Sequence, residues 1–282
     1  MTHNGLGSIV AIWRYPVKSM LGEELNAAEV TQSGLLGDRA YGLVDTSDGK
    51  VASAKNPRKW PGLFDCRAAF VEVPKAGVKL PPVRITLADG STINSEQADI
   101  DRLISNALTR QIKLSASPNV QKATSEEYWP DIDGLDHRDT VTDFGLPEGT
   151  FFDCAFVHVL TTATLNRLRE LYPQGRFEVR RFRPNIVVET GNESGFVENA
   201  WIGHTVAIGD HVRLIITGPC PRCVMTTLPQ SDLPKDGDIL RTAVQHNHAG
   251  VGVYASVLEG GKVRRGDQVK MESGRMPRFA AD

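Results

Sequence analysis

Two thiols one turn apart, Cys220 and Cys223 in GPCPRCVMTTLPQ (residues 218–230), are the side chains of this sequence best suited to chemistry. A structural zinc site needs four ligands, usually a second such pair or histidines at short spacing. No second pair exists, and His246 and His248, at i, i+2 on a segment expected to be extended, face opposite sides. A redox couple needs its pair after a strand and opening a helix, whose N-terminus lowers the first thiol's pKa. Here a β-branched, strand-like run follows instead. The plain alternative is two small buried hydrophobes, which free cysteines often are. Arg222 between the thiols argues for more, because a cation beside a thiol favours the thiolate, the form that binds metal. With Thr226 and Thr227 next in line, a thiolate among Arg and hydroxyl donors suits a soft metal carried by an anionic cofactor.

Donors for such an anion occur elsewhere. YPVKSM (15–20) ends a strand with Lys18 and Ser19, and GDRAYGLVD (37–45) presents Arg39 just before another. A point charge, a hydroxyl and a bidentate fork are the set that holds a phosphate. RFEVRRFRPN (176–185) adds Arg176, Arg180, Arg181 and Arg183. Each cluster taken singly also reads as a solvated surface.

The bulk properties narrow the classes. A net charge of −2 over 282 residues provides no global field for nucleic acid or an anionic membrane, so neither partner is expected. The N-terminus lacks a signal-peptide pattern, and no apolar run reaches the ~18 residues of a membrane span. Four cysteines are too few for a secreted disulfide scaffold. A cytoplasmic protein with reduced thiols is expected.

The elements that must carry these residues are mostly strands. Segments 8–17, 40–45, 66–73, 83–94 and 111–117 mix β-branched and aromatic residues, with an Asp89-Gly90 hairpin turn inside the fourth. Ile100, Leu103, Ile104, Ala107 and Leu108 have helical spacing after a candidate N-cap, Ser95. Residues 118–152 are Asp-rich with little periodicity and read as a boundary or a functional loop. Beyond them come a strand at 154–163, a helix burying Leu165, Leu168 and Tyr172 and capped by Thr161 or Thr162, a strand at 183–190, a hairpin at 204–218 and two strands within 251–271. The expected class is mainly β with short helices (α+β), a barrel-like domain over 1–120 followed by a second over 121–282.

In this order, YPVKS, GDR, LTTATL, RFRPNIVV, PCPRCVMTT and GVYASVLEGGKVRRGDQV resemble the MOSC family, specifically its two-part members with a MOSC N-terminal β-barrel domain before the MOSC domain. The likeness runs from about residue 7 to residue 272. It implies a molybdenum cofactor, a phosphate-bearing pterin whose metal Cys223 would ligate, making Cys223 the catalytic and metal residue and Cys220 a bystander or supporting residue. It further implies that Lys18, Ser19 and Arg39 hold the phosphate. Thr161, Thr162, Arg183, Asn185, Pro221 and Arg222 would contact the pterin or its phosphate. The implied reaction is reduction of N-hydroxylated compounds such as amidoximes and hydroxylamines. With no flavin or iron–sulfur motif and no ferredoxin-like extension, electrons are expected from an external ferredoxin or flavin-reductase type partner. A carrier of molybdenum cofactor or activated sulfur is the alternative. One departure bears on substrate subclass: the animal reductases continue Thr-Thr-x-Asp, whereas Leu228-Pro229 follows Thr226-Thr227 here. Outside these motifs, His158 reads as a satisfied core histidine, Trp129 as a packing anchor and His137 as a solvated loop residue.

Overall fold

The computed structural model of the chain describes residues 5–116 and 122–275. The first part contains β1 (Gly5–Arg14), β2 (Glu23–Leu25), β3 (Ala27–Thr31), β4 (Gly34–Leu35), β5 (Tyr41–Asp45), β6 (Arg67–Phe70), β7 (Val83–Thr86), β8 (Thr92–Asn94), α1 (Ile100–Leu108) and β9 (Ile112–Ala116). Next come β10 (Thr124–Trp129), β11 (Thr140–Gly145), β12 (Val157–Thr161), α2 (Thr162–Leu171), α3 (Val179–Phe182) and β13 (Ile186–Glu189). The remainder is β14 (His204–Ile208), β15 (Val212–Pro221), α4 (Asp238–Asn247), β16 (Gly250–Glu259), β17 (Gly261–Arg264) and β18 (Gln268–Arg275). The fold is mainly β with short helices, as expected. The expected boundary at 120/121 lies outside the described residues.

Seven strands close a barrel in the order β13-β12-β16-β15-β14-β18-β1, and β1 returns to β13. The first strand of the chain is therefore a stave of a barrel built otherwise from its second half. Only the β12–β13 pair is parallel within this circuit, and α2 makes the crossover that a parallel pair requires. Ile9 and Ile12 of β1, Val157 and Val159 of β12, and Val253 and Ala255 of β16 fill the interior.

Further strands of the first half, β5–β9 and β6–β7–β8, pack around a second core, and the β10–β11 hairpin adds Tyr128 to it and Phe144 to a smaller cluster with Val51 and Phe151. The second core includes Val224, Met225 and Leu228, from the segment just after Cys223. A wedge from one half is thus driven into the other beside the cysteine motif. This explains why residues 224–227 form a 3-10 turn rather than the expected strand: the turn lets Val224 and Met225 enter that core. The Thr226 and Thr227 hydroxyls bond back to the carbonyls of Cys223 and Val224 at 3.0 and 2.8 Å.

Other local expectations are corrected. The 118–152 stretch holds β10 and β11, six registered pairs long, whose outward Thr, Glu and Asp side chains mask the alternation. α4 places His246 on a helix and His248 at its left-handed C-cap, not on an extended segment. Ile239, Leu240, Ala243 and Val244 bury its inner face. The 251–271 stretch contributes to three strands, not two. Asp99, not Ser95, precedes α1; the Ser95 Oγ accepts from Val83 N at 2.9 Å. α2 is capped by Thr161, whose hydroxyl accepts from Thr164 N at 3.1 Å.

Candidate active site

Between the two cores lies a cavity of about 320 Å³, within the range of small-molecule sites. Lys18 and Ser19 reach it from the segment after β1, and Arg39 from the turn before β5. Arg183 and Asn185 come from the run between α3 and β13. Pro221, Arg222 and Cys223 line it from the end of β15. The sequence-expected residues are therefore brought together, with two exceptions. Thr161 is fully buried, capping α2 and donating to Glu198 Oε2 at 2.6 Å, and Thr162 is the first residue of that helix; neither lines the cavity.

Three donors sit on backbone that only glycine adopts without strain. Ser19, Arg39 and Arg183 have φ of 65°, 48° and 54°. Each left-handed residue costs on the order of 1–3 kcal/mol and persists where surrounding structure enforces it, which is the pattern of a site rather than of a surface. Val17 bridges Tyr41, fixing the Lys18 segment against the start of β5. Arg183 donates to Met20 O at 2.6 Å and lies 4.2 Å from the Tyr15 ring centroid. Arg39 covers the same ring at 4.5 Å and pairs with Asp38. Asn185 donates to Asp38 Oδ2 at 2.9 Å and accepts from His158 N at 3.0 Å.

Sequence reasoning missed Lys55, Glu127, Asp153, His248 and Tyr254, all of which line the cavity. Asp153 ion-pairs with Lys18 and lies 3.3 Å from Lys55 Nζ, which also reaches Glu127 Oε2 at 3.1 Å. Burial alone would raise the Asp153 carboxyl, but Lys18 and Lys55 hold it below the usual carboxylate range. Burial lowers Lys18, and Asp153 resists that fall. Burial also pulls Arg183 down to about 10, with Arg39 adding to it. Five cations (Lys18, Arg39, Lys55, Arg183, Arg222) line the cavity with three carboxylates (Glu127, Asp136, Asp153), while Asp38 and Cys220 pair with Arg39 and Arg222 from behind its wall.

The two thiols divide their roles in a way their spacing did not reveal. Arg222 aims its Nη1 at the Cys220 sulfur and donates through Nη2 to Phe182 O at 3.0 Å. Burial would raise Cys220, but Arg222 and His158 lower it to about 6. Cys223, at the cavity wall, is instead pushed up to about 11 by burial and by Glu127. The cation between the thiols thus activates the first, not the second. His158 is buried, as expected of a core histidine, with Nε2 3.0 Å from Val251 O; it also interacts with Cys220.

Thiolate absorbance in Cys223→Ala protein is accordingly expected to titrate first with a midpoint near pH 6. Because this folded pKa lies below the unfolded one, the pair stabilises the fold in full above the unfolded pKa. That contribution fades as pH falls toward 6. A midpoint at the ordinary ~8.5 would disprove the Cys220–Arg222 ion pair.

Trp129 lines the cavity, donates to Thr142 Oγ1 at 2.8 Å and meets the His137 ring edge-on at 5.0 Å. Pro229, the departure noted in the sequence, faces a neighbouring apolar groove with Trp60 and Phe64, not this cavity. Among the described residues, no cluster of three or more His, Cys, Asp or Glu could hold a metal ion by itself. No described helix is long and apolar enough to cross a membrane.

Residues 6–125 match the MOSC N-terminal beta barrel domain, and residues 147–270 match the MOSC domain. The chain belongs to the MOSC family. Relatives of this MOSC protein include mitochondrial amidoxime reducing component 2 of Rattus norvegicus, 24% identical over 295 residues, covering 94% of this chain and 83% of the relative. The Bos taurus protein of the same name is 25% identical over 300 residues, with the same coverage. Molybdenum cofactor sulfurase of Bos taurus is 24% identical over 276 residues, covering 87% of this chain but 30% of that protein. Among solved structures, the YUAD protein from Bacillus subtilis aligns with a TM-score of 0.48 and 12% identity, covering 95% of this chain and 97% of that one. The MOSC protein is thereby related both to amidoxime reducing components and to a cofactor sulfurase.

Proposed function

We propose that this MOSC protein is a molybdenum-cofactor-dependent reductase of N-hydroxylated compounds, amidoximes and hydroxylamines, supplied with electrons by an external ferredoxin or flavin-reductase type protein in the cytoplasm. The observation that carries this reading is one cavity lined by a cysteine sulfur and five cationic donors drawn from both halves of the chain. The residues present fit the cofactor. Arg222 Nε is a buried donor with no hydrogen-bond partner beside the Cys223 wall, the kind of orphan that a bound acceptor satisfies. Lys18, Ser19 and Arg39 would hold the phosphate, and Arg183, Asn185, Pro221 and Arg222 the pterin. Cys223 Sγ would ligate the metal after losing its proton.

When bound, the cofactor would supply two-electron reduction of a nitrogen–oxygen bond. The overall change takes an N–OH compound, two electrons and two protons to an N–H compound and water. The chain's own part is to fix the pterin through rigidly held cations, to present one sulfur to the metal and to keep the Glu127–Lys55–Asp153 network beside that sulfur. Thr161 and Thr162 support this indirectly, by starting α2 behind the cavity.

The test is to purify the protein from a host that makes the cofactor, measure bound molybdenum and pterin, and assay amidoxime and hydroxylamine reduction with a reduced dye. Stoichiometric molybdenum with turnover supports the reductase. Molybdenum without turnover supports the carrier reading that the sulfurase relative also fits. Zinc in its place sinks both.

A further inference from the structure

We propose that Asp153 is a positioning residue that keeps the Lys18 ammonium charged and directed into the cavity. This rests on the reading that Lys18 grips the phosphate. Asp153 belongs to the run between β11 and β12 whose residues 151–155 all line the cavity. Its carboxylate bridges two ammonium groups, pairing with Lys18 through Oδ1 and lying 3.3 Å from Lys55 Nζ through Oδ2. Lys18 is only 5% exposed, and among the described residues its one other acceptor is the neutral carbonyl of Phe151, 3.0 Å away.

Lys55 also draws on Asp153, and Arg183 feels its charge, but Lys55, Arg39 and Arg222 each have a further partner. Lys55 keeps Glu127, Arg39 keeps Asp38, and Arg222 keeps Cys220. Among the described residues, Asp153 is the one carboxylate within ion-pair reach of Lys18. Around Lys18, burial, Lys55 and Arg39 all favour the neutral amine, and Asp153 alone opposes them. Glu127 acts on the far side of Lys55, and the neighbouring Cys154 thiol is itself pushed upward by burial. Without the carboxylate, an amine nine-tenths out of water sheds its proton well below the ordinary lysine range and no longer attracts a dianion. Lys18 and Asp153 are 135 residues apart, so the grip also requires the two halves of the chain to be docked.

The experiment measures binding of radiolabelled sulfate by equilibrium dialysis across neutral and alkaline pH. Sulfate is a tetrahedral dianion whose own charge is constant over that range. Wild type, Asp153→Asn, Asp153→Ser, Asp153→Glu and Lys18→Met are compared, each checked for folding by circular dichroism. In wild type, affinity falls where Lys18 loses its proton. In Asp153→Asn that fall is expected at least about one pH unit lower, a loss of about tenfold at pH values between the two midpoints. Asp153→Ser, a different shape with the same lost charge, gives the same shift should Asp153→Asn fail to fold. Asp153→Glu restores most of the wild-type profile. Coincident profiles, or tighter binding by both neutral variants at every pH, overturn the proposal. If Lys18→Met binds as well as wild type, or wild type binds no sulfate, the phosphate reading of Lys18 falls first and this inference with it.

Discussion

Replacing Arg181 with Met is expected to lower the unfolding free energy by about 3–5 kcal/mol. Arg181 is fully buried and donates to four backbone carbonyls: Arg176 at 2.9 Å, Thr226 and Leu228 at 3.1 Å each, and Pro234 at 2.8 Å. Burial lowers its pKa, and with the side chain fully out of solvent its loss leaves those carbonyls without their donor. Its neighbours in the same arginine-rich run behave differently, Arg176 and Arg180 pairing with exposed Asp232. Urea denaturation measures the effect, and the melting temperature should drop by on the order of 10 °C. Arg181→Lys, with fewer donors and no planar fork, should recover only part of the loss. A change under about 1 kcal/mol for the Met variant would show that the four carbonyls find other partners. Two of those carbonyls belong to the turn behind Cys223, so the variant should also loosen the cavity wall.

The second large effect concerns Cys223 itself. Cys223→Ser changes one atom on the cavity wall from a soft donor to a hard one while nearly conserving volume. Losing a supporting contact of a metal ligand typically weakens binding 10–100-fold, so losing the ligand should exceed about 100-fold. Molybdenum content and amidoxime reduction are expected to vanish together, with secondary structure unchanged by circular dichroism. Cys66→Ala, which alters a buried thiol that does not line the cavity, should retain the metal. Retention of molybdenum by the serine variant would move the metal to another donor and end the proposed assignment.

What the sequence disclosed follows from where information is contiguous. Lys18-Ser19, Arg39, Arg183-x-Asn185 and the cysteine pair each lie in short runs whose residue types already form a donor set. Their meeting in one cavity agrees with that reading. The barrel was legible from strand periodicity, though not its closure by β1, because pairing partners such as Ile9 and Val188 are far apart in the chain. Asp153 and Lys55 were hidden for the same reason: their partners are 135 and 72 residues away. Asp153 also closes an acidic stretch that gives one carboxylate no distinction from the others. Which sulfur Arg222 faces was not readable at all, since it lies between the two in sequence and only the geometry at the end of β15 turns its fork toward Cys220 rather than its immediate neighbour Cys223.

The position of β1 has a consequence for how this protein is made. Its pairing partners are residues 186–189 on one edge and, along the other, residues 268–270 and the local strand 23–25. The Ile12–Arg14 end of β1 can pair at once with Glu23–Leu25, whereas Gly5–Ile12 must wait until residues 186–189 and 268–270 have been synthesised. Such a delay exposes the nascent chain to wrong pairings, and it makes the arrival of β18 the step that closes the cylinder.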